Sequence, residues 1–357
     1  MTNFYTLTVK DIYKETSDCS VITFEVPENL KEKFKFQQGQ HLTLKKNING
    51  EEVRRSYSLC SSPRENVWKV AVKEILGGVF STYVNQELTA GDTLEVMIPS
   101  GKFGIKADQQ NDKNYLFFAA GSGITPILSM IKAYLEEEPK STCKLFYVNK
   151  TAKSIIFKEE LEQLRNKYFG RLEIYYFLTK ERRDIELFNG RFDESKMDVL
   201  SKTFIDIPDT NEVFLCGPEQ MVKFVSDYLI NAGLPKELVH FELFVTGLSE
   251  EDVKRAERLA QQNVEGTEII IVDGGKEFQF TMTKEYDNIL DAALSAGADL
   301  PFACKGGVCS TCKCEVLEGE VEMKINYALE QKELDQNLVL SCQAVPTSDK
   351  VKVDFDV

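Results

Sequence analysis

The sequence predicts a multidomain chain of mixed all-β and α/β class, with an antiparallel β-barrel, a doubly wound parallel sheet and a small C-terminal domain. Three observations predict this: short alternating strands without long helices at the start, strand–helix alternation in the middle, and a cysteine-rich loop near the end. A chain of 357 residues has room for two or three domains. We expect the boundaries at 1–108, 109–246, a linker at 247–266, and 267–357.

Composition and charge limit the kinds of partner. The formal net charge of −14 argues against a nucleic-acid-binding surface. The C-terminal 267–357 contain 17 acidic residues against 8 lysines and no arginine, which fits either a docking surface for a basic partner or a solvated face. No apolar run approaches the ~18 residues of a membrane span, and the first residues lack the pattern of a secretory signal. A cytoplasmic protein without membrane contact is therefore expected.

The first domain has six candidate strands, separated by turn residues, and six short antiparallel strands favour a barrel. These strands are 4–12, 20–26, 41–46, 54–59, 67–73 and 93–99. Arg55 and Tyr57 share one face of the fourth strand, where they could hold a phosphate and an aromatic ligand plane. The glycine turn at Gly78 opens a helix predicted over 80–86, which makes a second phosphate cradle.

The middle domain begins with a buried strand over 115–120 that runs into Gly121, Gly123 and Thr125 and then into a helix through residue 138. Free N–H groups at such a helix start attract phosphate, although a plain tight turn gives the same short pattern. Further strands are predicted at 144–148, 172–178 and 213–216, with helices at 157–168 and 220–232. The last strand ends in Cys216-Gly217-Pro218, and ligands of such sheets sit at these carboxyl ends. Cys216 is therefore expected beside the ligand.

Four cysteines near the C-terminus have the spacing C-x4-C-x2-C followed by a distant fourth: Cys304, Cys309, Cys312 and Cys342. This spacing is typical of a plant-type 2Fe–2S cluster held by four thiolates. A zinc site usually has two paired C-x2-C hooks, and disulfides are rare in a chain without an export signal. With only two histidines in the chain, neither of them near a cysteine in sequence, a histidine-ligated cluster is not expected. A fifth cysteine, Cys314, is expected to point away from the cluster as a core thiol on the following strand.

The C-terminal domain is completed by a hairpin over 267–273 and 276–283 and by a helix over 288–296. Hairpin, helix and returning strands predict a β-grasp fold. Residues 249–262 have apolar residues on one helical face after a capping pattern, which predicts a short amphipathic helix in the linker; a disordered charged spacer is the alternative.

Taken in chain order, the motifs at 55–58, 78–81, 121–126 and 216–218 and the four cysteines resemble those of the ferredoxin–NADP reductase superfamily. With a C-terminal plant-type ferredoxin domain, the chain resembles an oxygenase reductase. The stretch 297–309 around the first two cysteines is most similar to the reductase subunits of phenylacetyl-CoA epoxidases.

This resemblance implies roles for the flavin-side residues. Tyr57 would stack on the flavin, Ser58 would hydrogen-bond near its N5, and Arg55 would pair with a flavin phosphate. The flavin phosphates would also be bound by Gly78, Ser81 and Thr82, which favours FAD without excluding FMN. Phe244 would cover the flavin, or serve as ordinary packing.

The resemblance also implies a nicotinamide site and a cluster site. The nicotinamide nucleotide would be held by Gly121, Gly123 and Thr125, and hydride transfer would take place beside Cys216, Gly217 and Pro218. Thr179 and Lys180 are similar to a pair that contacts the 2′-phosphate of NADPH, so NADPH is favoured over NADH. The cluster ligands would be Cys304, Cys309, Cys312 and Cys342.

The implied function is an NADPH-dependent reductase that passes electrons through FAD and a 2Fe–2S cluster to a terminal oxygenase, first of all a phenylacetyl-CoA epoxidase. A nicotinamide gives up two electrons together and a cluster takes one, so a flavin, which can hold either number, is needed between them. Alternatives are a reductase for another oxygenase (steroid, alkane or fatty acid) and a non-enzymatic redox relay.

Overall fold

The computed structural model describes residues 4–244, 254–256, 258–259 and 266–357. The chain divides into two compact units, a larger one over residues 5–53 and 57–244 and a smaller one that contains the C-terminal part from residue 254 onward. Within the larger unit, the barrel and the parallel sheet pack against each other.

The predicted six-stranded antiparallel sheet is present, in the spatial order β4-β3-β6-β1-β2-β5. Its strands are β1 (Phe4–Thr16), β2 (Cys19–Glu25), β3 (His41–Ile48), β4 (Glu51–Ser58), β5 (Trp68–Lys73) and β6 (Thr93–Met97). Alternating apolar residues of these strands point into a buried core that includes Leu7, Ile22 and Val70. Helix α1 (Val79–Gln86) closes the barrel because its Phe80 and Val84 are buried in the same core. Short 3-10 turns lie at Glu28–Leu30 and Pro63–Glu65.

The middle of the chain forms a five-stranded sheet in the order β11-β10-β7-β8-β9, with every pairing parallel. The strands are β7 (Asn114–Ala120), β8 (Thr142–Asn149), β9 (Leu172–Leu178), β10 (Glu212–Gly217) and β11 (Val239–Leu243). The helices are α2 (Ile124–Glu137), α3 (Lys158–Lys167), α4 (Glu194–Thr203) and α5 (Glu219–Asn231). Short 3-10 turns occupy Gly121–Gly123, Ala152–Ser154, Glu186–Phe188 and Lys236–Leu238. The doubly wound sheet predicted from strand–helix alternation is confirmed.

The strand order places a ligand crevice between β7 and β10. From β7 the chain winds through β8 and β9 to one edge, and then returns to β10 and β11 on the other side. Crevices open at the carboxyl ends of the strands where the winding reverses. Two turns meet there: the one at Gly121–Gly123 after β7, and the one at the end of β10.

Two elements of this domain were absent from the sequence prediction, α4 and β11. Helix α4 buries only Lys196, Met197 and Leu200, so its apolar stripe is narrow; it begins at Asp193, whose carboxylate accepts the N–H of Lys196 at 2.8 Å. Strand β11 is short and only Leu243 is fully buried. Weak amphipathic patterns explain both omissions, because periodicity is the main signal in a single sequence.

The smaller unit has a five-stranded sheet in the order β13-β12-β18-β14-β16 and a two-stranded sheet of β15 and β17. The strands are β12 (Thr267–Asp273), β13 (Lys276–Met282), β14 (Lys313–Glu318), β15 (Val321–Met323), β16 (Leu338–Leu340), β17 (Ala344–Pro346) and β18 (Lys350–Asp354), and the helices are α6 (Ile289–Ser295) and α7 (Gln331–Leu334). Hairpin β12–β13 and helix α6 match the prediction within one residue at each end. The sheet with α6 across it has the predicted β-grasp arrangement, with β12 and β18 parallel at its centre.

The amphipathic helix predicted over 249–262 lies mostly outside the described residues. Of that stretch, 254–256 and 258–259 are helical. Leu259 is buried and Arg258 forms an ion pair with Glu322 of β15. The described part of the linker therefore contacts β15, within the same unit.

Candidate functional site

The cysteine loop lies between α6 and β14 and is wound tightly by residues with left-handed backbone. Lys305, Gly307 and Ser310 have φ angles of +51°, +74° and +50°. At Gly307 a Cβ atom would lie 3.2 Å from the carbonyl oxygen of Ile325, so a side chain there would press on the neighbouring backbone. These turns bring the cysteines of the loop to one place, and Cys342 reaches it from the segment after β16.

The four thiols form two contacting pairs, Cys304 with Cys309 and Cys312 with Cys342. Backbone and amide N–H groups point at the sulfurs: the N–H of Gly306 donates to Cys304 Sγ at 3.3 Å, and Gln343 Nε2 donates to Cys342 Sγ at 3.6 Å. The Cys309 thiol, together with the backbone N–H groups of Gly306, Val308 and Cys309, lowers the pKa of Cys304 to about 6. Two neighbouring pairs of thiols with N–H donors fit a thiolate-ligated cluster, since such donors stabilise its negative charge.

Cys314 takes no part in this group. It lies on β14, opposite Val339 of β16, and is fully buried in the apolar core of the smaller unit. Burial raises the pKa of its thiol well above the ordinary value. The predicted role of a core thiol agrees with this placement.

The residues expected to bind a flavin on the barrel lie in the last four positions of β4: Arg55, Tyr57 and Ser58. Arg55 is exposed and donates from Nη1 to the carbonyl of Arg54 at 2.7 Å, while the ring of Tyr57 lies 5.8 Å from that of Phe80. Ser58 is buried, and its hydroxyl donates to Glu242 Oε2 at 3.2 Å. The strand therefore offers an aromatic face and a cation on one side, with a hydroxyl at its end.

The turn before α1 forms the second part of this site. Gly78 is the N-cap residue, and no side chain caps the helix. A Cβ atom at Gly78 would lie 2.5 Å from both Ile75 Cγ1 and Ser81 Oγ, so a side chain there would require these two side chains to move. The Ser81 hydroxyl donates to the carbonyl of Gly78 at 3.1 Å, and Thr82 follows on the same turn. Uncapped N–H groups at a helix start fit a phosphate group.

The turn Gly121–Gly123 after β7, called the nucleotide turn below, packs directly on the turn after β10. At Gly123 a Cβ atom would lie 2.2 Å from the carbonyl oxygen of Cys216, which leaves room only for hydrogen. Gly121 has φ +54°, and its carbonyl accepts the Tyr147 hydroxyl at 2.8 Å. Thr125 is buried and donates to the carbonyl of Ser122 at 3.0 Å, so its side chain braces the turn. The two turns thus share one wall of the crevice.

Cys216, Gly217 and Pro218 end β10 at this crevice. Cys216 is completely buried, and burial raises the pKa of its thiol well above the ordinary value. Pro218 is the N-cap residue of α5. Phe244 donates its backbone N–H to the carbonyl of Gly217 at 3.1 Å, and its partly buried ring packs against the core of the larger unit.

Glu242 is a residue of this site that the sequence analysis missed. It lies on β11 beside Cys216 of β10 and accepts the hydrogen bond from Ser58 of the barrel. Burial raises the pKa of its carboxyl to about 7, and the Ser58 hydroxyl opposes that rise. The available signal was a carboxylate between apolar neighbours, but nothing in the sequence connects it with a serine 184 residues away.

Thr179 and Lys180 follow β9, at the edge of the same sheet. Their backbone N–H groups donate to the carbonyls of Asn149 and Lys150 at 2.9 and 2.8 Å, which holds them beside the end of β8. Lys180 is exposed. They therefore lie at the same carboxyl-end edge as the turn at Gly121 and the end of β10.

Comparison with known proteins agrees with this layout. Residues 6–105 match an oxidoreductase FAD-binding domain, 117–227 an oxidoreductase NAD-binding domain, and 271–347 a 2Fe–2S iron–sulfur cluster binding domain. The E subunit of the 1,2-phenylacetyl-CoA epoxidase of Escherichia coli is 43% identical to the chain over 356 residues, which is 100% of this chain and 99% of that protein. The chain belongs to the oxygenase reductases of the ferredoxin–NADP reductase superfamily.

Other relatives of this reductase serve different oxygenases. The ferredoxin reductase component of the 3-ketosteroid-9-alpha-monooxygenase of Rhodococcus rhodochrous is 33% identical over 98% of the chain and 96% of that protein. Phthalate dioxygenase reductase has the same fold, with a TM-score of 0.60 over 99% of this chain and 98% of that one, at 23% identity. An intact type IV self-sufficient cytochrome P450 monooxygenase matches with a TM-score of 0.71 and 23% identity; 98% of this chain covers 41% of that one.

These comparisons confirm the predicted family, the three-domain class and the oxidoreductase activity of this reductase, with FAD, NAD(P) and 2Fe–2S domains. Among the described residues, no helix combines the length and apolar character needed to cross a bilayer.

The raised pKa of Glu242 predicts a pH dependence of stability in this reductase. Its carboxyl has a pKa of about 7 in the folded chain, against an ordinary value of 4.5. Between these values the folded state binds the extra proton, so stability falls as pH rises from 4.5 to 7, by on the order of 3 kcal/mol. The melting temperature of Glu242→Gln should therefore equal that of the wild type at pH 5 and exceed it at pH 8. An equal difference in melting temperature at both pH values would contradict this assignment.

Proposed function

We propose that this reductase takes electrons from NADPH and delivers them, through FAD and a 2Fe–2S cluster, to the oxygenase of a phenylacetyl-CoA epoxidase. The identity of 43% to a phenylacetyl-CoA epoxidase component, against 33% to a ketosteroid monooxygenase component, supports the choice of oxygenase. The observation that carries the redox assignment is the meeting of Ser58 of the barrel with Glu242 beside Cys216 of the nucleotide sheet.

A flavin held in this crevice would supply the conversion between hydride transfer from a nicotinamide and single-electron transfer to the cluster, from which the oxygenase would be reduced. The side chains of this protein contribute by fixing the positions of the bound groups. Ser58 holds its hydroxyl in a fixed direction because Glu242 accepts its hydrogen bond at 3.2 Å. Cys216 is buried at the end of β10, so its side chain keeps water from the wall of the crevice. Together they define the place where the flavin edge and the nicotinamide would meet.

The flavin would be held by three kinds of contact. Tyr57 presents its ring for stacking, and the exposed Arg55 can pair with a phosphate. Gly78, Ser81 and Thr82 at the uncapped start of α1 would bind the phosphates through backbone N–H groups. The ring of Phe244 packs against the core, which supports a role in ordinary packing over that of a flavin cover.

The cluster would be held by Cys304, Cys309, Cys312 and Cys342, whose thiols contact one another in pairs. The N–H groups around Cys304 favour its thiolate form, which is the form that binds iron. Gln343 adds a donor at Cys342 and ties the loop together through a hydrogen bond to the carbonyl of Lys305 at 2.9 Å.

All nine cysteines lie within the described residues, and all are free thiols. A cluster held by thiolates and several buried thiols fit a reducing compartment. We therefore propose the cytoplasm as the site of action.

The preference for NADPH is assigned to Thr179 and Lys180 at the end of β9. Lys180→Ala should raise the KM for NADPH about tenfold and leave the KM for NADH unchanged, because only NADPH carries the 2′-phosphate. Steady-state ferricyanide reduction with each coenzyme measures both values. Lys167→Ala is the matched control, since Lys167 is an exposed lysine at the end of α3, before the amino end of β9, whereas Lys180 follows its carboxyl end. An equal change for NADH would show a general loss of binding instead of 2′-phosphate recognition.

The oxygenase partner is tested by reconstitution. The purified reductase is mixed with the oxygenase subunits of a phenylacetyl-CoA epoxidase, and NADPH oxidation is measured together with epoxide formation. A 3-ketosteroid-9-alpha-monooxygenase oxygenase serves as the alternative acceptor. We expect coupled turnover with the epoxidase alone. Coupled turnover with the steroid oxygenase only would overturn the choice of partner, and a chain that NADPH cannot reduce would overturn the function itself.

A further inference from the structure

Lys132 is a buried lysine in the middle of α2, the helix that begins at the nucleotide turn. It is 7% exposed although its side chain carries a charge. Lysines are almost never this buried unless the ammonium group is paired. Its surroundings explain how the charge is accommodated.

The ammonium group joins three segments of the larger unit. Lys132 Nζ lies 3.1 Å from Glu65 Oε1 of the barrel and forms an ion pair with Glu160 of α3. It also donates to the carbonyl of Cys60 at 3.4 Å. Glu160 belongs to the same nucleotide-binding domain as Lys132, whereas Glu65 and Cys60 belong to the barrel. The lysine therefore bridges the two domains.

The barrel segment that Lys132 contacts is itself firmly held. Glu65 Oε1 accepts the backbone N–H of Ser62 at 3.0 Å, which closes a capping box on the 3-10 turn Pro63–Glu65. Ser129, one turn before Lys132 on α2, donates to the carbonyl of Ser61 at 2.7 Å in a buried contact. Residues 60–65 are therefore held to α2 by hydrogen bonds to Ser129 and Lys132 and by the ion pair of Glu65.

This segment continues directly from the strand of the proposed flavin site. Ser58 ends β4 and Cys60 follows two residues later. At the other end, α2 starts at Gly123, the glycine that packs on Cys216. One helix therefore connects the nucleotide turn to the end of the flavin strand, and Lys132 is the charged contact between them.

Such a bridge acts on geometry more than on net stability. A buried ion pair often contributes little to stability, because desolvation offsets the attraction, but separating its members leaves a buried unpaired charge. The two carboxylates keep the pKa of Lys132 above its ordinary value in spite of burial, so the lysine stays charged. Any sliding of the barrel relative to α2 would have to break this contact.

We propose that Lys132 is a positioning residue for hydride transfer, which sets the flavin-binding strand of the barrel at its working distance from the nucleotide turn. This inference rests on the proposed function of the crevice. Misplacement of reacting atoms by about 1 Å can lower a rate by up to about a hundredfold. Loss of the bridge should therefore appear in the rate of flavin reduction, with the affinities for FAD and NADPH little changed.

The test measures flavin reduction by anaerobic stopped flow at saturating NADPH, using FAD-loaded protein. Lys132→Met should lower the limiting rate at least about tenfold, with NADPH Kd and FAD content within about twofold of wild type. Lys132→Arg, which keeps the charge and can reach both carboxylates, should recover most of the rate. Lys140→Met changes an exposed lysine beyond the end of the same helix and should have no effect.

Two further variants separate positioning from stability. Glu65→Gln removes the partner in the barrel, and Glu160→Gln removes the partner in the nucleotide-binding domain. Both should lower the melting temperature, but only Glu65→Gln should lower the limiting rate at least about fivefold, with a larger deuterium isotope effect from labelled NADPH. These two variants decide the question if Lys132→Met fails to fold.

The inference would be overturned if Lys132→Met and Glu65→Gln kept the wild-type limiting rate while losing thermal stability, since that result assigns the bridge a purely structural role. Equal rate losses in Glu65→Gln and Glu160→Gln would also overturn it. If NADPH fails to reduce the flavin of the wild-type protein, it is the proposed function that fails, and the two failures are thereby distinguished.

Discussion

Cys342→Ser should lower electron delivery from this reductase to its oxygenase by about a hundredfold or more, because a plant-type cluster needs four thiolates and Cys342 is the proposed ligand outside the loop. The flavin and nucleotide residues lie elsewhere in the chain, so NADPH-dependent reduction of ferricyanide, which accepts electrons from the flavin, should stay within about twofold of wild type. The visible absorption spectrum and the iron content measure the cluster directly.

Cys314→Ala is the matched control for this experiment. Cys314 is fully buried on β14 in the apolar core, near the other cysteines in sequence, so its loss should cost about 1–2 kcal/mol of stability and leave the cluster in place. A cluster that survives Cys342→Ser but disappears in Cys314→Ala would show that the ligand set is different from the one proposed.

Gly123→Ala should lower the rate of flavin reduction by NADPH by about a hundredfold, because the new methyl group would force the two turns of the crevice apart. The Cβ atom would lie 2.2 Å from the carbonyl oxygen of Cys216 and 3.0 Å from the backbone N of Gly217. Both neighbours are backbone atoms, which have no rotamer through which to move away. Stopped-flow reduction and NADPH titration measure the effect, and the FAD content of the variant shows whether the barrel remains intact.

Gly121→Ala provides the comparison within the same turn. Its Cβ atom would meet only Lys73 Nζ, at 4.0 Å, so the cost is limited to the left-handed backbone at φ +54°, about 1–2 kcal/mol. A reduction rate lowered far less than in Gly123→Ala is expected. If Gly123→Ala reduced its flavin at the wild-type rate, the packing of the two turns would have no part in hydride transfer.

Much of the fold could be predicted because its signals are local. Strand β9 and strand β12 begin and end at the predicted residues, since each is a short apolar or alternating run bounded by turn residues. The cysteine spacing is likewise local chemistry, because three of the proposed ligands lie on one loop and only Cys342 must come from elsewhere. By contrast, α4 and β11 have weak periodicity and were missed.

The proposed site residues divide in the same way, into those with a local sequence signal and those revealed only by long-range contacts. Gly78 and Gly123 could be selected from the sequence because a glycine turn before a helix is a recognisable phosphate motif. The reason that Gly123 tolerates no side chain is a contact with Cys216, which no local pattern contains. Glu242 and Lys132 were missed altogether, since a carboxylate on an edge strand and a lysine in a helix resemble ordinary surface residues.

The sequence by itself determined most of the segments that become strands, helices and tight turns, and which side chains would bring thiolate, hydroxyl and aromatic chemistry to the redox groups. Only the tertiary structure decided that Ser58 meets Glu242 and that Lys132 joins Glu65 to Glu160. The physical reason is that local propensity acts over a few neighbouring residues, whereas these contacts join residues far apart in the chain and form only when the barrel and the parallel sheet pack together.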